Sequence, residues 1–218
     1  MKRCLIFCTI GCVVSLVEAC KQTPTDESSL PPPQDVSGYL PLKVGNAWTY
    51  REQSVNVLPT HRDTSLPRHQ QKRILYSLRD VDGSLLYAFS DDVTVTNPPG
   101  NPAVSGYNGY TEDALTLCYF PSAAVRSVLL MGPILAGTSW FSGSRPPDTL
   151  TIAAVDSGSF HGVPIDAVVV VVRHSTISAD SSWYAHGIGL LKRRLTMGDG
   201  VPGEYIRVSW DLEDYVLR

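Results

Sequence analysis

The sequence predicts a mainly β protein built on a single antiparallel, strongly curved sheet, half-barrel or sandwich-like, with at most one or two short helices. Three observations carry this prediction. Short apolar runs recur between turns bearing Gly, Pro and Asp, the pattern of a meander rather than of alternating strands and helices. From Glu204 to Leu212, Ile206, Val208, Trp210 and Leu212 alternate with Tyr205, Arg207, Ser209 and Asp211, which is the period of a strand with one buried face. Val168 to Val172 is an unbroken valine run and requires cover on both faces of its strand. That cover is another sheet, a short helix or the folded-over half of a strongly curved sheet.

Each element has its own signal. Trp48 to Val57 is the first predicted strand, reached through the Gly45-Asn46 turn. Ile74 to Val81 and Ser84 to Ser90 flank Asp82-Gly83, the two-residue signature of a tight hairpin. Thr111 to Phe120 forms another run, and Ala123 to Leu130 is the one helix candidate, with Ser122 as its cap and Gly132-Pro133 as its stop. Asp148 to Val155 and Ile165 to His174 flank a loop carrying Gly158, Gly162 and Pro164; Trp183 to His186, Leu190 to Leu195 and Glu204 to Leu212 complete the series. Asp166, Arg173 and His174 bracket the valine run as charged gatekeepers against aggregation. Pro41 to Trp48 and Pro133 to Trp140 share Pro, an aliphatic residue, Gly and Trp at equal spacing. Because the similarity stops there, it reads as one lead-in device used twice rather than as a duplicated half-domain.

The chain divides by composition into residues 1–19, 20–36 and 37–218. Lys2 and Arg3 precede an apolar stretch from Cys4 to Val17, and Ala19 stands directly before Cys20. The stretch is short of the roughly 20 apolar residues a membrane span needs, so it is predicted to be a cleaved signal peptide. With Val17 three residues before the cysteine and Ala19 just before it, the segment resembles a bacterial lipoprotein signal. That resemblance implies a diacylglycerol thioether on Cys20 and acyl chains as the link to the membrane, two or more of which anchor firmly. Lys21 rather than Asp follows Cys20, as in lipoproteins sent on to the outer membrane. Lys21 to Val36 is rich in Pro, Ser and Thr and poor in large apolar groups, so it serves as a tether. Its Pro31-Pro32-Pro33 triplet favours an extended form, giving a reach of up to about 50 Å.

Few residues invite a chemical reading. Cys4, Cys8 and Cys12 leave with the signal; Cys118 sits in an apolar run and reads as a small buried hydrophobe. His61, Asp63 and His69 are metal-capable, but Arg62, Arg68, Lys72 and Arg73 crowd the same stretch and no recognised ligand spacing is present. Asp80-Val81-Asp82-Gly83 resembles part of a calcium loop, yet Leu78 stands where the first acidic ligand belongs. His161, His174 and His186 are scattered at strand ends, and Lys192-Arg193-Arg194 reads as a solvated face. No nucleophile elbow, phosphate-binding glycine loop or zinc-protease helix motif occurs. The net charge of −3 disfavours nucleic acid. No catalytic residue, cofactor or metal is therefore expected.

The segments Gly38 to Tyr50 (GYLPLKVGNAWTY) and Trp183 to Lys192 (WYAHGIGLLK), with the loop Asp156-Ser157-Gly158-Ser159-Phe160 before the valine run, resemble bacterial envelope lipoproteins of unknown function that carry PLxVGNxWxY, YAxGxGLxK and an xxGxF turn. The resemblance implies a β-rich envelope lipoprotein and no particular activity. Three readings are compatible with it, in this order: a lipid-anchored, non-catalytic binding or interaction module for envelope proteins or lipids; a lipid or lipoprotein carrier whose valine strand lines an apolar groove; and a hydrolase whose His174, His186 and Asp180 cluster at one end of the sheet. An apolar cavity open to solvent would favour the carrier over the plain interaction module.

Overall fold

Strand follows strand with no intervening helix among the described residues. The computed structural model describes residues 35–79, 83–89, 109–113, 116–122, 125–143, 148–175, 178–198 and 203–218. The signal, Cys20, the tether through residue 34 and the Asp80-Val81-Asp82 part of the first hairpin lie outside them. The chain divides into the units Met1–Pro32 and Pro33–Arg218, and every described strand belongs to the second. These strands are β1 (Ala47–Val57), β2 (Arg62–Thr64), β3 (Arg68–Arg79), β4 (Leu85–Phe89), β5 (Gly109–Glu112), β6 (Thr116–Ser122), β7 (Val125–Met131), β8 (Ser139–Phe141), β9 (Thr149–Phe160), β10 (Val163–His174), β11 (Ser178–Ala185), β12 (Gly189–Gly198) and β13 (Tyr205–Val216).

All belong to one antiparallel sheet in the order β7-β6-β5-β4-β3-β1-β13-β12-β11-β10-β9-β8, with the short β2 attached to β1. Along this path the chain meanders, except where the first strand meets the last. β1 and β13 pair from Ala47↔Val216 to Val57↔Tyr205, with one bulge at Thr49/Tyr50. The two free edges then approach each other. Val128 N donates to Ser142 O at 2.8 Å, and the Trp140 indole N–H donates to Val128 O at 3.2 Å, so the sheet is nearly closed into a barrel. Closure demands strong coiling, and bulges supply it at Leu117/Cys118, Val170/Val171 and Trp183/Tyr184 among others.

The predicted fold class holds, with local corrections. Of the predicted helix Ala123 to Leu130, residues 123 and 124 lie outside the described residues and Val125 to Leu130 belong to β7: an eight-residue helix has little intrinsic stability, whereas β6 offers a backbone ladder. The run from Thr111 to Phe120 splits in two because the Asp113 carboxylate accepts from both Thr116 N (2.6 Å) and Thr116 Oγ1 (2.8 Å), fixing a turn. β9 and β10 extend through the predicted glycine loop and reverse only at His161-Gly162, whose φ angles of 51° and 79° suit a two-residue hairpin turn. Val36, placed by composition at the end of the tether, is fully buried in the core. The valine run needs no second sheet. Val169 and Val171 are buried while Val170 and Val172 are half-buried, so the curvature of the sheet itself provides the cover.

The Pro-Gly-Trp echo is reproduced bond for bond. Lys43 N reaches Pro41 O and Asn46 N reaches Lys43 O, as Leu135 N reaches Pro133 O and Thr138 N reaches Leu135 O. Gly45 (φ +93) and Gly137 (φ +92) donate to Ile74 and Ile152, whose own N–H groups return to Asn46 and Thr138. Each device thus clamps its strand to the next, β1 to β3 and β8 to β9. Setting β2 aside, the two devices open successive runs of six strands among the described residues.

Candidate functional site

Alternation along the strands delivers one side-chain set to the barrel lumen. On β1, Trp48 and Tyr50 point inward; Trp48 is buried, its indole N–H held by Ile188 O at 2.6 Å, and it stacks on Phe89 at 5.7 Å between ring centres. Phe89 continues to Tyr110 (4.6 Å) and Tyr110 to Tyr119 (5.0 Å), an aromatic chain crossing β1, β4, β5 and β6. Leu150, Val171, Tyr184 and Leu190 face it from β9 to β12. Between them lies a partly open cavity of about 390 Å³, within the range of small-molecule sites. Burial holds the Tyr50 and Tyr184 hydroxyls above their ordinary range, so both rings stay neutral and Tyr50 donates to Leu190 O at 3.0 Å.

The segment before β1 crosses one end of this lumen. Gly187 N donates to Gly38 O (2.8 Å), Tyr39 meets His186 edge to face at 5.3 Å, and Gly38 N donates to Glu112 Oε1 at 3.0 Å. Glu112 is on β5 and Gly187 on the β11–β12 turn, on opposite arcs of the ring, so the segment spans the mouth and lowers Leu40 into the cavity. Partial burial raises the Glu112 carboxyl from 4.5 to about 7; backbone donors at Gly38 and Leu40 oppose the rise, and Asp35 and Asp113 add to it.

Charge is built into the wall away from that mouth. Arg193 grips Asp180 through Nε–Oδ1 (3.1 Å) and Nη2–Oδ2 (2.6 Å), with Asp180 only 5% exposed. Burial would lower the guanidinium pKa, but the Asp180 hydrogen bonds outweigh it and hold Arg193 above its ordinary range. Arg193 also lies 5.3 Å over Trp210, whose indole N–H donates to Glu52, which in turn pairs with Arg68 at 2.6 Å. On the other side Arg173, in register with Asp180 across β10 and β11, reaches Asp148 only at 3.9 Å, and its buried Nε has no hydrogen-bond partner among the described residues. Lys72 is the third cation in the lining.

Several sequence expectations are corrected here. Lys192-Arg193-Arg194 is not a uniformly solvated face: Lys192 lies over Trp183 and Arg194 pairs with Asp211, while Arg193 turns inward. Arg173 is a lumen residue rather than a surface gatekeeper, whereas Asp166 and His174 are exposed as gatekeepers should be. His174 pairs with Ala179 at one end of the β10–β11 ladder and His186 lies just past the other end, seven residues away in register, or roughly 23 Å. They do not cluster with Asp180. His61 bonds Asp63 and His69 bonds Glu213, both exposed. Cys118 is buried and accepts a hydrogen bond from Arg126 Nε at 3.1 Å. Cys20 lies outside the described residues. Sequence reasoning missed Arg173 and Glu52 as interior residues, although each continues an inward alternation, Val169-Val171-Arg173 and Trp48-Tyr50-Glu52.

No protein-family model matches the chain, and no curated protein does. Among solved structures it is similar to a provisionally assigned lipoprotein from Parabacteroides distasonis, at 10% identity and a TM-score of 0.38, covering 84% of this chain and all of that one.

Proposed function

We propose that this chain is a non-catalytic binding module of a bacterial cell envelope that carries an apolar or amphiphilic ligand in its barrel lumen, held to the outer membrane by acyl chains on Cys20. The cavity of about 390 Å³ carries this reading. Its walls join aromatic and aliphatic side chains, with Leu40 lowered in from the segment across the mouth. A barrel serving only as an interaction surface would fill this space with side chains, as small barrels do. The amino-terminal sequence supports the anchor, and the tether gives the barrel reach from the bilayer.

The test is native mass spectrometry with solvent extraction on the chain released by Cys20→Ala. A stoichiometric small molecule of low polarity is expected. An empty monomer that also takes up no added alkyl ligand would return the reading to a plain interaction module. The same substitution should move the protein out of the membrane fraction, and retention there would remove the anchor from the proposal.

A further inference from the structure

Given that the lumen holds a ligand, we propose that the ligand is a single-chain amphiphile with an oxyanion head, a carboxylate or phosphate, and that Arg173 is the residue that receives the head. Three cations (Lys72, Arg173 and Arg193) face one carboxylate (Asp180) among the described lining residues. Asp180 is already taken by Arg193 through two parallel hydrogen bonds. The neighbouring Arg173 is left with a distant contact of 3.9 Å to Asp148 and a buried Nε–H that donates to none of the described residues. The Arg173 side chain is 23% exposed and lines the lumen, so its guanidinium has only a distant counter-charge, and an oxyanion in the lumen would supply a close one. The opposite wall offers the rings of Trp48, Phe89, Tyr110 and Tyr119 to a hydrocarbon chain. The volume, at the small end of ligand sites, suits one chain.

Titration calorimetry below micellar concentration, on the Cys20→Ala chain, would compare dodecanoate, dodecyl phosphate and dodecanol. Both anions are expected to bind at least about tenfold more tightly than the alcohol, the effect of one charge-assisted hydrogen bond. The tighter of the two anions identifies the head. Arg173→Gln should bring the anions down to the level of dodecanol while leaving dodecanol binding unchanged, and Lys72→Met should weaken the anions less. Equal binding of alcohol and anions by the native lumen would overturn the oxyanion assignment and leave the lumen reading standing. Failure of all three probes would overturn both. If Arg173→Gln does not fold, the comparison of head groups on the native lumen and on Lys72→Met still decides.

Discussion

The barrel closes at two seams that are prepared in the same way and finished differently. β1 and β8 are each led in by a Pro-Gly-Trp device with the same hydrogen bonds, and each then meets a second neighbour on its other edge, β13 or β7. At β13·β1 the register runs the length of both strands. At β7·β8 the contact rests on Val128 N to Ser142 O and on the Trp140 indole. A shared local device therefore fixes how a strand starts, while strand length decides how firmly it is joined. β8 has three residues where β1 has eleven. The short seam is the natural place for the lumen to open.

The sharpest way to break the comparison is at Trp48, whose ring is buried and both stacked on Phe89 and bonded to Ile188. Trp48→Ala should cost about 3–5 kcal/mol in denaturant unfolding, with loss of the whole barrel. A loss below about 1 kcal/mol would mean that the device is dispensable at the long seam. At the short seam Trp140→Phe removes one hydrogen bond and should cost only about 1 kcal/mol globally. It should nevertheless speed hydrogen exchange at Val128 more than at any amide of β13. Uniform acceleration would show that the two seams open together.

The segment over the mouth responds to pH rather than to a lost contact. The folded barrel holds the Glu112 proton more tightly than the unfolded chain does, so this stabilisation is complete below pH 4.5 and is lost as the pH rises through about 7. Glu112→Gln keeps an acceptor for Gly38 and should flatten that part of the stability profile. A variant with the same slope as the native protein would show that another group is responsible.

Much of the fold was legible because strands announce themselves locally. The alternation at the carboxyl end, the valine run and the glycine turns all marked β elements that the structure contains. Their ends were less legible, because the ladder between β9 and β10 runs on through Gly158 and Pro164 where composition indicates a loop. β7 was misread because a short capped segment has no helix-specific information that a partner strand cannot override. The lumen was hidden for a different reason. Arg173 and Arg193 look like surface charges until the register sets them beside Asp180, and no local pattern encodes which strands become neighbours.

The pairing of the first strand with the last also sets an order of events. As the polypeptide is made, β1 gains β3 early, but its other edge must wait for β13, nearly the whole length of the barrel later. Loop closure over such a distance costs little more free energy than over a shorter one, so the burden falls on time rather than on final stability. Until the carboxyl-terminal strand arrives, β1 carries an open row of backbone donors and acceptors beside Trp48 and Tyr50, the kind of edge that recruits other chains. A polypeptide cut short before Tyr205 would keep that edge for its lifetime, which makes the final strand this protein's own protection against aggregation.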